Sequence, residues 1–169
     1  QLDVKPDIIS CNDWQTALIP VYYHIYYRYQ LGYSDIKTVF TIHNIEYQGR
    51  YGREVLDGVM GIPQYNANLL DYEGCVNMLK GAIETADRLV AVSPSYAWEL
   101  LDPWYSHGLD RILVTKQHKL AGILNGIDTS LYDPETDGYT ASAYTAEDLS
   151  GKELCKAALL QELGLDTDS

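Results

Sequence analysis

Asn12, Asp13, Trp14, His43 and Asn44 carry the side chains best suited to chemistry, and they fall at the ends of two apolar runs. The first run is Asp7-Ile8-Ile9-Ser10-Cys11, which leads into Asn12-Asp13-Trp14. The second is Thr38-Val39-Phe40-Thr41-Ile42, which leads into His43-Asn44. Each reads as a buried strand that ends in polar groups. In an open parallel sheet, ligands bind just beyond the carboxyl ends of the strands. A carboxylate, an indole, an imidazole and an amide therefore meet at one edge. That set suits a sugar, with polar groups for the hydroxyls and an apolar ring for the C–H faces.

The elements that must hold these groups alternate between strand and helix. Residues 3–11 read as a strand, and Asn12 and Asp13 can cap the helix that follows. That helix runs from about Trp14 to Gln30 and stops near Gly32. It carries the tract Tyr22-Tyr23-His24-Ile25-Tyr26-Tyr27-Arg28-Tyr29. Residues 37–42 form a β-branched strand, followed by a Gly- and Tyr-rich loop over 46–61. Residues 71–74 read as a connection. Apolar positions 76, 79, 82, 83 and 86 line one helical face. Residues 89–92 form a third strand, and Ser93-Pro94-Ser95 opens a helix that stops before Pro103. Residues 109–117 form a short helix and 120–124 a fourth strand, ending at the turn dipeptide Asn125-Gly126. A polar loop over 131–145 precedes a last helix, 152–163, stopped by Gly164. Such an order predicts right-handed crossovers and a parallel sheet with helices on both faces.

Bulk properties narrow the function. The chain has 169 residues, of which 46% are hydrophobic, enough for one domain with a real core. Asp and Glu number 24 against 12 Lys and Arg, a net charge of −12. Nucleic acid and anionic membranes both require a basic footprint, so neither is expected as a partner. Neither a GxGxxG nor a Walker motif occurs. The cysteines at 11, 75 and 155 are widely spaced, which fits reduced thiols in a cytoplasmic protein. No apolar run reaches the roughly 20 residues of a membrane span. His24, His107 and His118 lack metal-ligand pairing, so no metal is expected. Ser93 lacks a G-x-S-x-G setting, which argues against a hydrolase nucleophile.

The strings Pro6-Asp7-Ile8-Ile9, Asn12-Asp13-Trp14-Gln15-Thr16-Ala17, Phe40-Thr41-Ile42-His43-Asn44 and Tyr47-Gln48-Gly49 resemble the bacterial glycogen synthase and starch synthase family. So do Leu79-Lys80-Gly81, Val92-Ser93-Pro94-Ser95-Tyr96-Ala97 and Gly122-Ile123-Leu124-Asn125-Gly126-Ile127-Asp128. The strings are collinear over nearly the whole chain. One departure is Ser10, where many members have His.

The resemblance implies a retaining GT-B glucosyltransferase and an α/β, Rossmann-like domain. Residues 1–169 would be a single partial domain, the later half of the N-terminal domain, with helix 152–163 leading to a C-terminal domain outside the chain. The family's opening Lys-x-Gly-Gly loop is also not among these residues. Glucose would pass from a nucleotide sugar, ADP-glucose by expectation, to the non-reducing end of an α-1,4-glucan, without a cofactor or metal. His43 and Asp13 would be the catalytic pair. His43 would hold the 6-hydroxyl of glucose, with its carbonyl facing the anomeric centre. Asn44 and Asn125 would bond sugar hydroxyls, Trp14 would cover an apolar face, and Tyr47 and Gln48 would contact substrate from the loop.

Plainer roles exist for each of these residues. Asp13 is also a helix-cap type, His43 a common strand-end residue, and Asn125 the first half of a turn dipeptide. The tyrosine tract suits a core face as well as a glucan platform. The alternatives are therefore a non-catalytic glucan-binding or interaction module, or another GT-B transferase. With half a cleft the chain is expected to be inactive alone, and its uncovered edges are expected to drive self-association.

Overall fold

The structure is a computed structural model and describes residues 5–165. It forms two compact units, Gln1–Asn125 and Gly126–Ser169. The expected strand residues 3 and 4 lie outside the described residues.

The first unit is built on a parallel sheet. Its strands are β1 (Ile8–Asn12), β2 (Lys37–Ile42), β6 (Arg88–Ala91) and β7 (Leu120–Gly122), in the spatial order β1-β2-β6-β7. Helices connect them: α1 (Leu18–Tyr22) after β1, α3 (Met78–Thr85) before β6, then α4 (Pro94–Glu99) and α5 (Asp110–Lys116) between β6 and β7. The alternation expected for an α/β fold with parallel strands is thus observed. On β2 the buried face is Thr38, Phe40 and Ile42, with Val39 and Thr41 half-buried between them. Phe40 and Ile42 pack with Cys11, Leu89 and Ala91 of the sheet, Leu79, Ala82 and Ile83 of α3, and Leu100, Leu109 and Leu113.

Three local departures from the sequence expectation have physical causes. The helix over 14–30 is broken into a 3-10 turn (Trp14–Thr16), α1, and a wide π-type turn (Tyr23–Tyr27). Pro20 has no N–H to give, so the α-helix begins beside it, where that donor would be unpaired anyway. The tyrosines then act as clasps. Tyr22 and Tyr26 donate their hydroxyls to Met60 O (2.8 Å) and Gly61 O (2.6 Å), and buried Tyr23 donates to Ile36 O (2.8 Å).

The second departure is a small antiparallel sheet in residues expected to be loop, connection and the start of a helix. Its strands β3 (Arg50–Tyr51), β4 (Asp71–Tyr72) and β5 (Cys75–Asn77) run in the order β3-β5-β4. Glu73 (φ 48°) and Gly74 (φ 82°) join β4 to β5 through two left-handed residues, the geometry of a type I′ hairpin turn. The loop also holds the short helix α2 (Val55–Gly58), and Arg53 forks onto the Asp71 carboxylate (3.2 Å from Nε). The third departure is the start of α3. It begins at Met78 rather than residue 76, because Asn77 caps it by accepting from Lys80 N–H at 3.0 Å.

The second unit contains α6 (Ser150–Glu162) and the loop before it. The loop is organised by Asx turns, in which Asp128, Asp133, Asp137 and Asp148 accept from backbone N–H groups two residues on. Gly164, at φ 65°, ends α6, and Leu165 N–H returns to Leu160 O at 2.9 Å.

Candidate functional site

The carboxyl ends of β1 and β2 meet in a turn that Asp13 makes possible. Asp13 N–H continues the ladder to Thr41 O (3.0 Å), and the backbone then turns sharply, with φ 53° and ψ −179°. That region is nearly exclusive to glycine and costs about 1–3 kcal/mol in another residue. The helix-cap role open to Asp13 is not taken up, for its side chain makes no cap bond. Its Oδ1 instead accepts from His43 N–H at 2.8 Å and, more weakly, from Asn44 N–H at 3.5 Å.

Asn12 holds the other end of the same residue. Its Oδ1 lies 3.0 Å from His43 Nε2. The Asn12 backbone is itself clamped by Thr16, whose hydroxyl donates to Asn12 O (2.7 Å) and accepts from Asn12 N–H (2.6 Å). Sequence reasoning placed Asn12 at this edge and as a possible cap, but gave it no role toward His43 and gave Thr16 no role at all. The Asn12-to-Thr16 spacing was the available signal, since one turn separates the pair.

Asn44 is exposed beside His43, and its side-chain oxygen accepts from Glu46 N–H at 2.9 Å, which shapes the start of the loop. Below it, the half-buried Tyr96 hydroxyl accepts from Ile45 N–H at 3.0 Å. Burial pushes the Tyr96 phenol above its ordinary value, against the lowering effect of that N–H, so it stays protonated at neutral pH.

Trp14 is half-buried and tilts against Tyr51, with ring centroids 6.3 Å apart. The two rings, with Glu46, Tyr47, Gly49 and Arg50, line an open cleft of about 330 Å³. Tyr47 is 60% exposed at its mouth. Gln48 also lines the cleft, but not with a free amide. It is 6% exposed, accepts from Asn77 Nδ2 (2.7 Å) and donates to His107 O (3.0 Å), so its amide is spent on holding the loop.

Asn125 is exposed on the same sheet edge. Ile123 N–H donates to Ala91 O at 2.9 Å, one step past the end of β7. With β6 between them, β2 and β7 stand about two strand spacings apart, roughly 10 Å. The turn expected at Asn125-Gly126 is irregular chain instead. The edge thus brings Asp13, His43 and Asn44 into direct contact, with Trp14 and Tyr47 alongside and Asn125 further along. Among the described residues, no group of three or more His, Cys, Asp or Glu is disposed to hold a metal ion, and no helix is long and apolar enough to cross a membrane.

Comparison with known proteins identifies the family. The starch synthase catalytic domain family matches residues 1–115. The glycogen synthase of Streptococcus mutans is 44% identical over 162 residues, which is 95% of this chain and 34% of that protein. The glycogen synthase of Geobacillus stearothermophilus is 36% identical over 167 residues, 98% of this chain and 34% of that protein. The solved catalytic domain of Starch Synthase IV from Arabidopsis thaliana, bound to ADP and acarbose, superposes with a TM-score of 0.79. It is 38% identical, and the match covers 98% of this chain and 34% of that one. The chain therefore spans about a third of the length of these relatives. With a family match over two-thirds of its length and a collinear fold, the chain belongs to the starch synthase catalytic domain family.

Proposed function

We propose that the chain supplies the glucose-gripping half of a glycogen or starch synthase cleft. The full protein transfers glucose from a nucleotide sugar, ADP-glucose, to the non-reducing end of an α-1,4-glucan, with retention of configuration. Residues 1–169 are then the later part of its N-terminal GT-B domain, and the protein works in the cytoplasm without a metal.

One observation carries this reading: Asp13 and Asn12 together fix His43 at the sheet edge where ligands bind in such folds. In the transfer, the sugar passes through an oxocarbenium-like state as the diphosphate departs. Such a state needs electron-rich groups near the ring and positive charge near the phosphates. His43 supplies its carbonyl near the anomeric carbon and its free ring nitrogen to a sugar hydroxyl. Asp13 acts as an orienting carboxylate, since its Oδ1 is engaged by backbone N–H groups. Asn44 and Asn125 bond further hydroxyls, and Trp14 and Tyr47 cover C–H faces. Gln48 serves at one remove, by anchoring the loop that carries Tyr47. The positive groups for the diphosphate belong to the part of the cleft outside these residues.

The test is ADP release from ADP-glucose and glycogen. The 169-residue chain alone is expected to give none, and the full-length parent to turn over. Turnover by the chain alone close to that of the parent, or none by the parent, overturns the reading.

A further inference from the structure

The geometry points to Asn12 as a positioning residue that sets the tautomer of His43, leaving Nδ1 as the nitrogen that accepts a substrate hydroxyl; this last step rests on the reading above. Asn12 Oδ1 stands 3.0 Å from His43 Nε2. An amide oxygen only accepts, so Nε2 must carry the proton in the neutral ring. Nδ1 is then a bare lone pair on an exposed side chain at the edge of the sheet. A ring free to exchange tautomers spends part of its time with Nδ1 protonated, and in that state it cannot accept from a hydroxyl.

The backbone explains how Asn12 comes to do this. In a regular strand, neighbouring side chains point to opposite faces. Asn12 and Asp13 nevertheless both reach His43, one to its ring and one to its backbone N–H. The left-handed conformation at Asp13 (φ 53°) breaks the alternation and aims both at one target. Thr16 then fixes Asn12 through a reciprocal pair of bonds at 2.6 and 2.7 Å. The strain at Asp13 therefore has a use: it gives His43 two-point support.

The experiment reads the four imidazoles of the ¹⁵N-labelled chain at alkaline pH, with His43→Gln identifying the His43 signals. The expected native spectrum has a protonated-type Nε2 and an unprotonated-type Nδ1. Asn12→Leu, which has similar size but no acceptor, is expected to shift both signals toward the averaged values of a free imidazole. Asn12→Asp, which keeps an acceptor oxygen, is expected to retain the native pattern. A native Nδ1–H form, or an unchanged spectrum in Asn12→Leu, overturns the proposal. If Asn12→Leu fails to fold, the native and Asn12→Asp spectra decide it. No sugar is involved, so failure here is separate from failure of the transferase reading. In the full-length enzyme, Asn12→Leu is expected to lower kcat/KM about tenfold or more, with recovery in Asn12→Asp. Full activity despite a scrambled tautomer removes Asn12 from the mechanism.

Discussion

Gly49 lies against the Trp14 indole so closely that a Cβ at position 49 would stand 2.7 Å from Trp14 Cε3. Gly49 also has φ 63°, and its carbonyl receives Met78 N–H at 3.1 Å. One residue thus joins the loop, the first turn of α3 and the Trp14 ring. Gly49→Ala is expected to destabilise the chain by about 1–3 kcal/mol, through left-handed strain and overpacking. Urea unfolding checks this, and the Trp14 emission is expected to shift even in the folded variant. An unchanged midpoint and emission would mean that neither contact constrains Trp14.

Acid stability is tied to Asp87. Burial alone would raise its carboxyl, but Thr38 N–H (2.8 Å), the Arg28 guanidinium and the Thr38 hydroxyl (3.0 Å) outweigh burial and hold it below its ordinary value. A carboxylate lowered in the folded state stabilises above its unfolded pKa, near 3.9, and that stability is lost as pH falls through the folded value. Stability is therefore expected to drop below about pH 4. Asp87→Asn is expected to lose stability at neutral pH and to show a flatter acid limb. An acid limb with the same slope in both proteins would contradict the assignment.

Lys119 has the opposite sign. Burial, with Lys116 beside it, lowers its amine to about 8. It donates to Ala86 O (2.5 Å) and Glu84 O (3.3 Å), at the end of α3. Between about pH 8 and about 10.4 the unfolded chain binds a proton here that the folded chain does not, so stability rises with pH in that window. Lys119→Met is expected to abolish the rise. Thermal midpoints measured from pH 7 to 10 check it, and a rise that survives the substitution would assign it elsewhere.

Self-association is expected of the isolated chain. Ile9, Ile19, Tyr22, Tyr27 and Ile36 line an open apolar groove of about 320 Å³ beside the edge strand β1. An exposed strand edge next to apolar surface favours pairing with another copy. Light scattering at rising concentration is expected to show dimers or larger species. A monomer throughout would contradict this.

Much of the fold was legible because β2 and α3 carry clear two- and 3.6-residue patterns, and β1 and β2 lead into polar residues. The β3-β5-β4 sheet was not. Strands of two or three residues have no period to read, and Glu73-Gly74 is not one of the strong hairpin dipeptides. The break in the first helix was signalled by Pro20 and overlooked. At the site, the strings singled out His43 and Asp13, which the structure brings into contact, but side-chain direction lies beyond a string. Gln48 turns inward, while Asn12 and Asp13, neighbours on the chain, both reach His43 because Asp13 adopts a positive-φ backbone.

The most direct measurement is kcat/KM for glucosyl transfer by the full-length enzyme carrying His43→Ala. The account predicts a loss of about 100-fold or more, as for removal of a group aimed at developing charge. Activity within about twofold of the parent, where differential transition-state binding is negligible, would contradict it.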